Sequence, residues 1–384
     1  MRKLAYIAKV SDISPIEGAD RLEVARLQGH GWKVVVGKGD FRVGDVCVMF
    51  EIDSFLNADD ERYAFLRDRC LKKFVSKGGN VLAEGMRIKT IKLRGVVSQG
   101  LIMPIDRFPE VTDQIVWDAD KGCDMFVSKG GKAEVAIGAD VTSILKVEHY
   151  DDLREMLQPA MGSPTGGDAM GPFPSAIPKT DEERIQNLDE WFGTMKGRTW
   201  QVTVKHDGTS CTVAYALSID KDNPEIVCSR NQRMKPAAAN GKVPVYWEVA
   251  EKYDVVEQAR RYFEKTGHEI AFQGEAVGPG IQSDKNKENE HVFRCFRIWD
   301  ITDQEWIAPQ ETEEICRRLK IPHVQVIERN FPFFDKITTM EDALKFAEGK
   351  TEEGNEREGV VLKTDDGGKY ASFKIVSNRY LLKE

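Results

Sequence analysis

The sequence lacks a CxxC pair, a long apolar run and any excess of positive charge. Its seven cysteines, Cys47, Cys70, Cys123, Cys211, Cys228, Cys295 and Cys316, are odd in number and widely spaced. That pattern argues against a disulfide framework or a zinc site and predicts reduced thiols in a cytoplasmic protein. No apolar run approaches the roughly 18 residues a membrane helix needs. The N-terminus, MRKLAYIAKVSDISPIEGADR, has no signal-peptide core. No membrane contact is expected. The formal charge of -8 gives no general attraction to a polyanion, so nucleic-acid contacts would require local basic patches. At 384 residues the chain exceeds one ordinary core and predicts two domains or three.

What is present divides in two. Residues 1–106 carry short runs rich in β-branched residues, LEVARL, GWKVVVGKG, GDVCVMFEI and MRIKTIKLRGVVSQGLIMP, bounded by Gly, Asp or Pro. Such spacing predicts an OB-like β-barrel. Residues 107–175 read as a connecting segment. It repeats the FVSKGG of Phe74–Gly79 at Phe126–Gly131, through coincidence or a local duplication, and ends in the Gly/Pro-rich stretch QPAMGSPTGGDAMGPFPSA, a linker signal. Residues 176–384 alternate strands (WQVTVKH, CTVAYAL, EIAFQGEAVG, HVFRCFRIWDI, EGVVLKT) with helices. Val249, Tyr253, Val256, Arg260 and Phe263 form one helical stripe, and Thr338 with Glu341 suggests a capping box. The expected class is α+β, with antiparallel sheets and flanking helices.

VTVKHDGTSCTVAY places Lys205 at the end of an apolar strand, before His206, Asp207, Gly208, Thr209 and Ser210. The strand would hold the amine, the Gly-bearing turn would let a phosphate approach the backbone, and desolvation beside other cations would lower the lysine pKa toward that of a nucleophile. Taken alone, Asp207-Gly208 is equally a favoured two-residue hairpin turn.

Lys205-x-Asp207-Gly208-x-Ser210 resembles the nucleophile motif of the covalent nucleotidyltransferases: DNA ligases, RNA ligases and mRNA capping enzymes. SRN with Arg230, FQGEAVGPGIQ with Glu275, FRCFRIWDI with Phe296, REGVVLKT with Glu358 and Lys363, and SFKIVSNRYLL with Lys374 follow in that superfamily's order. ADRLEVARL, GWKVVVGKGDFRVGD and FPSAIPKTDEERIQNL further resemble the Deinococcus-type nick-sealing RNA ligases. The resemblance implies an N-terminal OB domain and a ligase-type adenylyltransferase domain, unrelated to the ATP-grasp fold. It also implies ATP as cofactor, with AMP carried covalently on Lys205, and Mn2+ or Mg2+ held by Glu358 and Asp207. Arg230 would contact phosphate, Glu275 the ribose hydroxyls and Phe296 the adenine; Lys363 and Lys374 would also bind the nucleotide, Lys374 at the α-phosphate.

Outside that ordered series, Phe296 would read as core, Glu275 and Arg230 as surface charges, and Glu358 as part of a solvated acidic loop. Two departures stand out. Many relatives carry two lysines two apart in the last motif, whereas Val376 follows Lys374 here, leaving Arg379 or Lys369 as the second cation. Arg297 occupies a position that is usually acidic. The implied partner is RNA or an RNA-containing nicked duplex, sealed by a monomer in a phage or bacterial repair setting. Arg87, Lys89, Lys92 and Arg94 are the candidate docking cations, and a bulge or turn near Thr90–Ile91 would be needed to bring them to one face. DNA ligases and capping enzymes commonly place a barrel after the catalytic domain, for which the residues beyond Lys374 leave no room. A non-catalytic RNA- or tRNA-binding protein is the remaining alternative.

Overall fold

The long strand Ala5–Pro15 pairs through Ala5–Lys9 with Val46–Phe50 and from Val10 onward with Leu22–Leu27, its register shifting between Val10 and Asp12. A bulge of this kind bends a strand and lets one segment serve two neighbours. The resulting antiparallel sheet runs Leu101–Pro104, Val46–Phe50, Ala5–Pro15, Leu22–Leu27, Lys33–Gly37. The computed structural model describes residues 3–128, 130–162, 168–238, 241–282, 288–352, 354–364 and 371–383.

Two compact units emerge, the first comprising Met1–Met161 with Gln186–Asp189, the second Gly162–Ile185 with Glu190–Lys383. Much of the segment read as connecting therefore belongs to the first unit. Phe108, Val111, Phe126 and Val141 share its core with Ile7, Val48 and Phe50, and the Val141 N–H donates to the Ala5 carbonyl at 2.9 Å. The repeated FVSKGG marks the same hairpin built twice. The Ser76 N–H bonds the Asn80 carbonyl and the Gly79 N–H the Ser76 carbonyl, just as Ser128 bonds Lys132 and Gly131 bonds Ser128. Gly79 and Gly131 have φ of 86° and 74°, a conformation glycine adopts without a Cβ penalty.

In the second unit a seven-stranded antiparallel sheet runs Ala169–Pro172, Gln232–Met234, Glu225–Cys228, Thr209–Tyr215, Ile270–Val277, Val292–Asp300, Glu305–Trp306. A four-stranded antiparallel sheet runs Val326–Phe331, Trp200–Lys205, Gly359–Thr364, Ala371–Val376. The α+β expectation is met. Cys211, Val213, Phe272, Phe293 and Ile298 form the larger core with Val249, Val255 and Ala259 from the helices.

Three local readings change. Part of the Gly/Pro-rich linker, Ala169–Pro172, is an edge strand, while residues 163–167 lie outside the described residues. The single helical stripe is two helices, Val245–Lys252 and Val255–Thr266, because Asp254 adopts a left-handed φ of 50° between them. The helix Met340–Phe346 is capped one residue later than expected: Thr339, not Thr338, accepts from the Asp342 N–H. Among the described residues no helix is long and apolar enough to cross a membrane.

Candidate active site

Lys205 ends its strand where the chain passes from one sheet to the other. Trp200–Lys205 pairs with Val326–Phe331 and Gly359–Thr364, whereas Thr209–Tyr215 pairs with Glu225–Cys228 and Ile270–Val277. Asp207-Gly208 is therefore a crossover and not a hairpin turn. Gly208 owes its identity to packing: a Cβ there would lie 2.6 Å from the Ala276 carbonyl oxygen. Opposite Lys205 in the ladder stands Gly359, whose missing Cβ makes room for the Ile375 carbonyl. This close strand contact sets the preceding residue, Glu358, beside the lysine, with Nζ 2.7 Å from Oε2.

The electrostatics reverse the expectation for Lys205. Burial alone would lower its pKa, but Glu358, Glu275 and Asp207 outweigh burial and hold it above the ordinary lysine value. Its neighbours are carboxylates where cations were expected. Burial pushes the Glu275 carboxyl up to about 8, with Glu358 adding to the effect and Lys205 opposing it. Glu275 Oε2 is buried with no hydrogen-bond partner among the described residues. Glu358 and Asp207 both act on Lys205, and their carboxylate oxygens are the hard donors that Mg2+ or Mn2+ takes in small number, completing its shell with water and phosphate. Asp207 accepts a 2.5 Å hydrogen bond from Tyr380 Oη. That tyrosine, in the helix Asn378–Leu381 capped by Ser377, went unnoticed in SNRYLL.

Lys374 and Arg230 share one carboxylate. Lys374 Nζ lies 2.9 Å from Asp181 Oδ1, and an Arg230 guanidinium nitrogen lies 3.3 Å from Oδ2. Asp181 was missed as a site residue, although it falls within the quoted FPSAIPKTDEERIQNL. Its segment is anchored by Glu182, which pairs with Arg297 at 2.7 Å and accepts from Ser372 Oγ. The unexpected arginine at position 297 thus has an acidic partner supplied from elsewhere.

Phe296 is the extra residue of a β-bulge, since Gln273 pairs with Arg297 and Gly274 with Cys295. Bulges re-aim side chains, and Phe296 stays half-buried while Phe293 and Ile298 are fully buried. Lys363 Nζ lies 5.2 Å from the centre of the Phe296 ring and donates to the Phe296 carbonyl. Burial, then Arg297, pushes its pKa down to about 7.

The comparisons fit this geometry. A family model described as RNA ligase matches residues 198–376, and one described as PHA02142 OB-fold domain matches 4–105. Solved structures of Naegleria gruberi RNA ligase, including a variant with ATP and Mn and another structure with pyrophosphate, share 32% identity with the chain. Each covers 100% of this chain and 99% of its own, with a TM-score of 0.78. The chain belongs to the RNA ligase family. A search of curated proteins gave no match.

In this RNA ligase Arg230 is a cation that shares Asp181 with Lys374. Arg379 is instead engaged by Glu356 at 3.1 Å, and Lys369 lies outside the described residues. Nor do the four candidate docking cations form one exposed patch. Arg87 has only 13% of its side chain exposed, pairs with Asp53 at 2.9 Å and lies over the Tyr150 ring. The chain leaves the strand Val81–Arg87 at Ile88–Lys89, earlier than the expected Thr90–Ile91. Lys92 and Arg94 are exposed, Arg94 in the turn of the hairpin Thr90–Leu93/Val96–Gln99.

Proposed function

We propose that this ligase joins RNA 3′-OH and 5′-phosphate ends using ATP, in a repair role, acting as a monomer. The observation that carries the reading is the Lys205 amine beside Glu358, with two further cations gathered around Asp181. In the first step Lys205 Nζ, having lost a proton, attacks the α-phosphorus of ATP. The bond to the β-phosphate breaks, pyrophosphate leaves, and lysyl-AMP remains. In the second, the RNA 5′-phosphate takes the AMP and the Lys205 amine is restored. In the third, the 3′-OH attacks that phosphorus and AMP departs.

Arg230 and Lys374 would hold phosphate, Glu275 the ribose hydroxyls, and Phe296 the adenine face, with Lys363 keeping Phe296 in place. Phosphoryl transfer depends on such positioning and charge neutralisation. A divalent cation, Mn2+ or Mg2+, held by Glu358 and Asp207 would supply positive charge offsetting the carboxylates that favour protonated Lys205. The Deinococcus-type resemblance supports a nick as the substrate. An ATP-dependent sealing assay on a nicked, RNA-containing duplex tests this reading, and absence of sealing at every divalent-metal concentration would contradict it.

Phosphate reaching Arg230 and Lys374 must displace Asp181. Asp181→Asn is expected to tighten pyrophosphate binding severalfold, since a partly exposed pair is worth up to about 1 kcal/mol. Titration calorimetry of both proteins checks this; weaker binding by Asp181→Asn would assign Asp181 a supporting role instead.

For the first unit we propose a phosphate-docking role for Lys92 and Arg94. The double alanine variant should reduce nick sealing and its salt sensitivity while leaving adenylylation intact. Arg87→Ala should act through the fold, costing on the order of 3 kcal/mol by breaking its largely buried pair with Asp53. Denaturant unfolding beside salt-dependent sealing separates the two effects. An unchanged salt slope for Lys92→Ala/Arg94→Ala would remove the docking role.

A further inference from the structure

A second group of metal-type donors lies away from Glu275, at the opposite end of the strand pair Ile270–Val277/Val292–Asp300. Ile270 pairs with Asp300, and five residues along, Glu275 pairs with Arg294. At about 3.3 Å per residue, that separates Asp300 from Glu275 by roughly 16 Å.

Three elements converge there. Gly267, at a φ of 78°, ends the helix Val255–Thr266 and leads into His268. Asp300 closes the strand Val292–Asp300, and its Oδ1 accepts the N–H groups of Thr302 at 2.9 Å and Asp303 at 3.0 Å. This turn fixes Asp303 relative to Asp300. His268 Nδ1 lies 2.8 Å from Asp300 Oδ2 and 3.5 Å from Asp303 Oδ2, and one ligand atom from each of the three residues lies within 4.8 Å of the other two.

Ligands held about 2.0–2.2 Å from one ion stand roughly 3.0–3.5 Å apart. The two separations from His268, 2.8 Å and 3.5 Å, lie close to that range. His268 and Asp300 also line a cleft of about 850 Å³, walled by Trp299, Trp306, Glu305 and Glu311. The carboxylates favour cations in this cleft, and its open side leaves coordination positions for water.

We propose that His268, Asp300 and Asp303 form a site for a divalent transition-metal ion, separate from the nucleotide site. One imidazole with two carboxylates suits Zn2+, Mn2+, Co2+ or Ni2+ better than Mg2+ or Ca2+. In the metal-free chain His268 Nδ1 and Asp300 Oδ2 are hydrogen-bonded; an ion bound at Nδ1 replaces that bond, the proton passes to solvent, and the ion joins the helix end to the turn at Ile301–Gln304.

The test uses the full chain stripped with chelator and titrated calorimetrically with Zn2+. Wild type, Glu358→Ala, His268→Gln and Asp303→Asn are compared, each checked for folding by circular dichroism. A Zn2+ site retained in Glu358→Ala but weakened at least about tenfold in both His268→Gln and Asp303→Asn supports the proposal. Adenylylation by those last two should stay within about twofold of wild type. Asp303 is half exposed, so its variant remains informative if His268→Gln fails to fold. Zn2+ affinity unchanged in the folded variants, or all binding lost with Glu358→Ala, overturns the proposal. Because Zn2+ binding is read directly, the result is independent of the ligase reading.

Discussion

Glu358→Ala is expected to slow adenylylation by roughly 10²–10³-fold, the usual cost of removing one preorganised electrostatic group. Glu358 sits 2.7 Å from the Lys205 amine with 14% of its side chain exposed. Its loss removes the nearest of three carboxylates around Lys205. If Glu358 merely held the lysine in place, Glu358→Gln would retain a hydrogen-bonding group of the same size and restore much of the rate. If its charge positions a divalent cation and its waters, Glu358→Gln should recover little. The second outcome is expected. Activity should likewise disappear with chelator and return with Mn2+ or Mg2+. Single-turnover adenylylation of the three proteins decides between these roles, and wild-type rates in Glu358→Ala would remove Glu358 from the site.

Lys205→Ala should show a larger loss, with no covalent nucleotide at any ATP or metal concentration. Lys205→Arg should fail equally, because guanidinium stays protonated and is a poor nucleophile. The two halves of the reaction should then separate. A nick already carrying AMP on its 5′-phosphate bypasses the lysine, so Lys205→Ala should seal it far better than it seals an ordinary nick with ATP. Equal failure on both substrates would point to a collapsed site instead of a missing nucleophile.

The catalytic strands were legible because their apolar runs are long and bounded by Gly, Asp or charged residues. The motif residues were legible through their order along the chain. Partnerships across the sheets were not. Lys205 meets Glu358 through the antiparallel pairing of Trp200–Lys205 with Gly359–Thr364, and Lys374 meets Asp181 through a parallel bridge between Lys374 and Arg184, in each case joining segments more than 150 residues apart. No local pattern encodes that distance. The same limit explains the direction of the Lys205 shift, since the sequence places His206 next to the lysine while the fold brings up Glu358 and Glu275. Arg87 looked exposed beside Lys89 until Asp53, 34 positions away, turned it inward. Asp254 splits a periodic stripe because one left-handed residue suffices to end a helix, and apolar spacing carries no record of φ. Phe296 shows the reverse case: spacing alone places it in the core, and a one-residue bulge takes it out.

The most direct measurement is incubation of the full chain with α-32P-labelled ATP and Mn2+, then denaturing electrophoresis, digestion and mapping of the labelled peptide. The account predicts one adduct, acid-labile as a phosphoramidate, on the peptide containing Lys205, and no label on Lys205→Ala. Label retained by Lys205→Ala, or an adduct mapping to a different lysine, would contradict it.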